Sequence, residues 1–179
     1  MPDTTPTDTG NDAKAVQALK KACDDAYAKH NNSCSHAVWY IITQVAEPAF
    51  QWNDANGLID YWIASSGWKE VSLDDGWQLA QKGIVVCGGL KKTGGHGHVI
   101  AIYPGEKKAS GGYLYTYTDK KTGKLLTDTM RSHGNYPRAL STSIGTWPGA
   151  KSMGDKTVWD PWASDDVFAD VDFWTKVTG

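Results

Sequence analysis

The sequence contains no apolar run of the roughly 20 residues that a membrane-spanning helix requires, so we expect no membrane insertion. The first ten residues are polar and rich in Thr, Pro and Asp, and they lack the basic start and apolar stretch of a secretory signal. Export by the Sec pathway is therefore not expected. The net charge of −2 and the sequence pI near 6.2 provide no general attraction to nucleic acid.

Cysteine is also scarce. The three cysteines form neither a disulfide framework nor a Cys-x-x-Cys zinc pair, and their odd number leaves at least one thiol free unless two chains are joined. Cys23 falls within an apolar helical stripe and Cys87 within a short apolar strand, so both are predicted to be small core side chains. Cys34 is the thiol that remains available for chemistry.

The chain is long enough for one globular domain. From 179 residues, 40% of them hydrophobic, we predict a single domain over residues 12–179 after a disordered tail at residues 1–11. Apolar residues recur at steps of three and four in three segments, which predicts helices over Asp12–His30, Cys34–Ala46 and about Ala55–Ser65.

The second half of the chain has the composition and alternation of strands. The predicted strands are Ile84–Cys87 closed by Gly88-Gly89, His98–Tyr103 ended by Pro104-Gly105, residues 112–118 before a hairpin turn, and residues 167–174. The cluster Asp74-Asp75-Gly76 is typical of a loop. Because helices come first and strands second, we predict an α+β fold with an antiparallel sheet.

Two residues have the placement that thiol catalysis needs. A thiol reacts as the thiolate, and the positive end of a helix or a neighbouring imidazolium lowers the pKa of cysteine from about 8.5. Cys34 begins a helix after the polar cap Asn31-Asn32-Ser33, and His98 begins a strand after the Gly-rich loop 91–97. If the helix packs on the sheet, the two side chains come within reach as nucleophile and base.

The histidines also allow a metal site. His96 and His98 form a His-x-His pair, to which His133 or a carboxylate would add a third ligand. No Cys-x-x-Cys or His-Glu-x-x-His motif supports that interpretation. Spacing alone leaves both interpretations open.

Four short motifs follow one another along the chain: Asn32-Ser33-Cys34-Ser35-His36-Ala37-Val38, then residues 53–58, 83–91 and 97–102. In this order and spacing they resemble the type VI secretion amidase effectors, which belong to the papain-like NlpC/P60 group of cell-wall peptidases. The similarity runs from about residue 20 to the C-terminal strand, with weaker matches at residues 136–137, 143–145 and 151–154.

The resemblance implies a role for each of several residues. Cys34 matches the nucleophile, His98 matches the general base, and Ser141 takes the place of the group that orients the imidazole. The backbone N–H of Cys34 is the implied oxyanion donor. The residues expected to contact substrate are Ser35, His36, Asn56 and His96. His36 stands where the family often has glycine, which is expected to narrow the cleft or add a polar contact.

The resemblance further implies hydrolysis of an amide bond in the peptide stems of peptidoglycan, without a metal or organic cofactor. The expected partners are the stem peptide, the secretion machinery and a cognate periplasmic immunity protein. The protein is expected to be made in the cytoplasm and secreted into the periplasm of a target bacterium. Two alternatives remain open: another thiol hydrolase, such as a phage endolysin, a housekeeping wall hydrolase or an intracellular protease, and a non-catalytic wall-binding module.

Overall fold

The computed structural model describes residues 9–178. Three helices come first, namely α1 (Thr9–Lys29), α2 (Cys34–Val45) and α3 (Ala55–Ala64). The next elements are β1 (Trp68–Val71), α4 (Leu73–Ala80), β2 (Val86–Leu90), β3 (His98–Ala109), β4 (Leu114–Thr118) and β5 (Leu125–Thr129). The last elements are β6 (Asn135–Ser141), a 3-10 turn (Pro148–Ala150), β7 (Ser152–Thr157), α5 (Asp165–Phe168) and β8 (Asp172–Lys176).

Six of these strands form one sheet in the order β1-β8-β2-β3-β6-β7, and each neighbouring pair is antiparallel. Strands β4 and β5 form a separate two-stranded sheet. The predicted α+β class with an antiparallel sheet is confirmed. Within residues 9–178, no helix combines the length and apolar character needed to cross a membrane.

The six-stranded sheet is covered on both faces at β3, which explains the continuous apolar run 99–102 in that strand. Val99 and Ala101 of β3 pack with α1, α2 and α3 in one core cluster. Ile100 and Ile102, which point to the opposite face, pack with Ala80 of α4 in a second cluster. The two-residue period of the strand therefore divides its side chains between two cores.

The first three helices agree closely with the sequence prediction. α2 begins at Cys34 as predicted, and α3 begins at Ala55. α1 begins at Thr9, three residues before the predicted start, so part of the predicted tail is helical. Residues 1–8, where the rest of that tail was predicted, lie outside the described residues. Cys23 and Cys87 are fully buried, as predicted for core side chains.

Two strands continue beyond the glycines and the proline that were predicted to end them. Gly88 and Gly89 lie inside β2. Glycine is needed at position 88 because a Cβ there would lie 2.5 Å from the ring of Phe173 on the neighbouring strand. β3 continues past Pro104, with a shift in its pairing to β6 after Tyr103. A proline cannot donate to the ladder and is accommodated at such an irregularity.

Two further predictions were wrong. The segment predicted as a loop around Gly76 is helix α4, capped by Ser72, whose Oγ accepts a hydrogen bond from the N–H of Asp75. The segment predicted as one strand over residues 167–174 is divided between α5 and β8. Ser164 caps α5 by accepting from the N–H of Val167, and this local hydrogen bond overrides the alternation.

Candidate active site

The candidate nucleophile occupies the first turn of α2. Ser33 caps the helix with an extended backbone, and its Oγ accepts a hydrogen bond from the N–H of His36. The cap thus provides an acceptor for the N–H of His36, whereas the N–H groups of Cys34 and Ser35 have no acceptor within the helix. Both of these groups, together with the N–H of Val99, lie near enough to the sulfur of Cys34 to lower the pKa of its thiol. The thiol thus lies between the positive end of α2 and the start of β3.

The candidate base is oriented by a hydrogen bond across the sheet. Nε2 of His98, at the start of β3, lies 2.9 Å from Oγ of Ser141 at the end of β6. These two ends come together because β3 and β6 are antiparallel, with Ala101 paired to Leu140.

The proton on this imidazole can be assigned from the network. Oγ of Ser141 lies 2.7 Å from the carbonyl oxygen of Ala150, which can only accept, so the single hydroxyl proton is donated there. Oγ must then accept from His98, which places the ring proton on Nε2. Nδ1 is left with a lone pair. Within the described chain no hydrogen bond joins the His98 ring to the sulfur of Cys34.

The two candidate groups share a cleft of about 570 Å³. Its lining includes the start of α2, the cap of α3 and the loop before β3. The lining also has an apolar part, the apolar wall, formed by Trp147, Trp162 and Ile144, of which Ile144 is 87% exposed. The cleft therefore combines the reactive groups with an apolar wall.

Burial shifts both titrating groups towards their neutral forms. The ring of Trp162 lies edge-on to His98 with centroids 5.4 Å apart, and burial lowers the pKa of His98 from 6.5 to about 4. Burial also raises the pKa of the Cys34 thiol, although the N–H groups of Val99, Ser35 and Cys34 oppose that shift. At neutral pH the resting pair is thus a thiol beside a neutral imidazole.

Of the four residues predicted to contact substrate, Ser35 and His96 line the cleft. Ser35 is buried, and its Oγ accepts a hydrogen bond of 3.3 Å from Nε1 of Trp52. His96 is exposed on the loop that precedes β3. Of these two side chains, that of His96 is accessible to a ligand in the cleft.

The other two, His36 and Asn56, do not line the cleft because each makes contacts elsewhere. The ring of His36 stacks on Trp52 with centroids 4.5 Å apart, and its Nδ1 lies 2.7 Å from Oγ of Ser33. His36 therefore supports the start of α2 from outside the cleft. His36 is not among the residues that line the cleft, and its two expected effects, a narrower cleft or an added polar contact, stay predictions.

Asn56 fastens the Gly-rich loop. Its Nδ2 donates to the carbonyls of Lys92 and Gly95, and its Oδ1 accepts from the N–H of Lys92. A Cβ at Gly97 would lie 2.4 Å from the same Oδ1, so glycine is required for this close approach. Asn56 thus positions the loop that leads into His98.

The alternative metal site has no support from the arrangement of side chains. Among the described residues, no group of three or more His, Cys, Asp or Glu side chains is placed to hold a metal ion. His133, the suggested third ligand, stacks on Trp159 with centroids 4.5 Å apart and lies 3.4 Å from Asp165.

Sequence reasoning missed the apolar wall and the carbonyl of Ala150. Trp147 precedes Pro148, and Trp162 follows Pro161, in segments without helical or strand periodicity. Proline marks such segments as loops, and loops often carry function, so part of this signal was present. The role of Ala150 is a backbone contact and leaves no signal in the sequence.

Neither models of known protein families nor curated proteins gave a match to this chain.

Proposed function

We propose that this protein is a cysteine amidase that hydrolyses an amide bond in the peptide stems of peptidoglycan. In this proposal Cys34 is the nucleophile, His98 is the general base and Ser141 orients the imidazole. The proposal includes a papain-like fold of the NlpC/P60 type. Its support is the order of the four sequence motifs together with the chemistry that the cleft can perform.

The observation that carries the proposal is the hydrogen-bond chain from His98 to Ser141 to the carbonyl of Ala150. It holds the ring as the Nε2–H tautomer and leaves the lone pair of Nδ1 as the acceptor for a proton. A thiol at a helix start, a histidine in this tautomer and a third group that fixes the ring make up the parts of a nucleophilic triad.

The reaction would proceed by acyl transfer. Nδ1 of His98 takes the thiol proton as Sγ of Cys34 attacks the carbonyl carbon of the substrate amide. The N–H groups of Cys34 and Ser35, which lie beside the sulfur at the start of α2, are the proposed donors to the oxyanion that forms. The imidazolium then gives its proton to the leaving amine as the C–N bond breaks. Water, activated by the same histidine, hydrolyses the thioester and restores the thiol.

Digestion of purified peptidoglycan, followed by mass spectrometry of the released muropeptides, tests the proposal. The wild-type protein should release fragments cut at one stem amide, and Cys34→Ala should release none while remaining folded. His98→Ala should lose several orders of magnitude in rate, whereas His96→Ala should lose far less. Release by Cys34→Ala would refute the nucleophile assignment. Equal losses at the two histidines, together with inhibition by EDTA, would favour a metal enzyme.

We also propose that the protein is delivered by a type VI secretion system into the periplasm of a competing bacterium and is neutralised in kin by a cognate immunity protein. This part rests on the sequence resemblance alone. The protein should be harmless in the cytoplasm of a laboratory bacterium and should lyse the cell when fused to a Sec signal, whereas the exported Cys34→Ala variant should not. Equal toxicity from both compartments would indicate an intracellular substrate instead.

A further inference from the structure

A protruding hairpin beside the cleft has no role in the proposed chemistry. Strands β4 and β5 pair with each other and lie outside the six-stranded sheet. An isolated two-stranded hairpin is marginally stable in water, yet this one exposes large apolar side chains. On one face of the hairpin, Tyr117 and its cross-strand partner Leu126 are 41% and 38% exposed. Exposed apolar groups gathered on one element indicate an interaction surface.

Three aromatic rings form a row from this hairpin to the cleft, which we call the aromatic ridge: Tyr117, Tyr115 and Trp147. The rings of Tyr117 and Tyr115 are stacked with centroids 5.7 Å apart, and Tyr115 meets Trp147 edge-on at 5.4 Å. The tyrosines share one face of β4, since they are two residues apart. Trp147 lines both the cleft that contains Cys34 and an adjoining cavity of about 300 Å³ that Tyr115 also lines.

A buried carboxylate fixes the position of this ridge relative to the cleft. Asp160 is fully buried, and its Oδ1 accepts hydrogen bonds from the hydroxyl of Tyr113 and the N–H of Gly111 at the base of the hairpin. Its carbonyl accepts from Nε1 of Trp147, and its Oδ2 accepts from Thr157 in the main sheet. One residue therefore holds the hairpin base and the cleft wall together, so the row of rings is preorganised.

We propose that the aromatic ridge binds the glycan strand of peptidoglycan and so presents the attached peptide stem to Cys34. The proposal rests on the proposed function, because a stem amide in the cleft brings the sugar that carries the stem close by. Sugar rings offer apolar C–H faces and hydroxyl rims, which suit Tyr and Trp rings that combine an apolar body with a polar tip.

The neighbouring groups favour a polar, hydroxyl-rich and partly anionic ligand. Asp128 is paired directly opposite Tyr115 and lies on the same face, where its carboxylate can accept from sugar hydroxyls. Lys120, Lys121 and Lys124 lie at or beside the hairpin turn. They complement the free carboxylates of the other stems along a glycan strand.

The binding experiment uses the inactive Cys34→Ala protein, with chitohexaose and stem-free glycan strands as probes. Changing Tyr115→Ala and Tyr117→Ala together should weaken binding roughly tenfold or more, since two stacking surfaces are lost. Tyr115→Phe with Tyr117→Phe keeps the rings and should retain most of the affinity. The matched control is Thr118→Ala with Leu125→Ala, a cross-strand pair on the opposite face of the same hairpin. It should bind like its parent.

In the active protein, the double alanine variant should cleave intact sacculi at least several-fold more slowly and should cleave a soluble, sugar-free stem peptide at the parental rate. Unchanged binding of the glycan probes, equal loss in the opposite-face control, or a change of oligomeric state caused by the tyrosine changes would each overturn the glycan assignment. If the parental protein cleaves neither substrate, the proposed amidase function fails, and binding to chitohexaose still decides the role of the ridge.

Discussion

The change Ser141→Ala tests the hydrogen-bond chain on which the proposed mechanism depends. It removes the acceptor for Nε2 of His98, at 2.9 Å, and the donor to the carbonyl of Ala150, at 2.7 Å. A buried polar group left without a partner costs about 1–3 kcal/mol, so the folded state should be destabilised by that order. For a domain of this size, the melting temperature should fall by about 2–4 °C for each kcal/mol.

The expected effect on rate follows from the neutral character of Ser141. A hydrogen bond to the neutral imidazole is worth about 0.5–1.5 kcal/mol, and one to the imidazolium that forms during reaction is worth about 1.5–3 kcal/mol. Only the difference, about 1–1.5 kcal/mol, lowers the barrier electrostatically, which corresponds to roughly a tenfold change in rate. Loss of the fixed tautomer adds to this, so kcat/KM should fall roughly 10- to 100-fold. For comparison, loss of the carboxylate from a Ser-His-Asp triad lowers kcat about 10⁴-fold. The smaller loss expected here reflects the neutral hydroxyl of Ser141.

Ser152→Ala is the matched control. Ser152 is the cross-strand partner of Ser141, is equally buried, and donates from its Oγ to the carbonyl of Ala139 at 2.6 Å without contacting His98. Both variants should lose similar stability in thermal melts, but only Ser141→Ala should lose kcat/KM in a muropeptide-release assay. The reasoning would be refuted if Ser141→Ala stayed within twofold of wild type, or if Ser152→Ala lost as much activity.

Two further predictions follow from burial at the site. Iodoacetamide should alkylate Cys34 first in the native protein, but more slowly than free cysteine because its thiol is protonated, while fully buried Cys23 and Cys87 react only on unfolding; peptide mapping that found Cys23 or Cys87 labelled first would contradict this. Because burial lowers the pKa of His98 to about 4, its base function should be lost only as pH falls towards 4, and the acid limb of kcat/KM should lie well below 6.5. Trp162→Ala admits water to the ring and should move that limb upward; an unchanged limb would show that Trp162 is not the cause. The unfolded chain binds more protons between about 6.5 and 4, so the same group should lower stability as pH falls through that window, by at most about 3 kcal/mol.

The helices could be predicted because their apolar spacing and capping signals agree. Ser33 before Cys34 and Asp54 before Ala55 are caps in the structure, each accepting from a first-turn N–H. α4 was missed because Gly76 and its acidic neighbours are typical of a turn. Gly76 is favoured there because a Cβ would lie 3.0 Å from Cγ1 of Val86, a tight contact, so close packing of helix on sheet took precedence over propensity.

The site could be predicted only in part, because its two halves depend on different kinds of information. Cys34 and His98 each follow a local signal, a helix cap and a Gly-rich loop. Ser141 has no such signal, since its contact with His98 spans 43 residues and depends on the register of β3 against β6. The alternation of tyrosines in β4 was visible, but its position beside the cleft depends on the buried contacts of Asp160, which no local pattern encodes.

The neutral orienting group and the low pKa of His98 have a joint consequence for the thiol. A carboxylate at the position of Ser141 would favour the imidazolium and raise the pKa of His98, whereas a hydroxyl that accepts one hydrogen bond offsets little of the burial. With the pKa of the Cys34 thiol also raised, proton transfer between the two is unfavourable in the resting cleft. It becomes favourable as an oxyanion forms near the N–H groups at the start of α2, because those groups then stabilise the negative charge on the oxyanion. We infer that the thiol is activated by bound substrate, and that without substrate it remains a protonated thiol. Oxidation proceeds through the thiolate, so a thiol of this kind should be oxidised more slowly than the thiolate of a preformed ion pair.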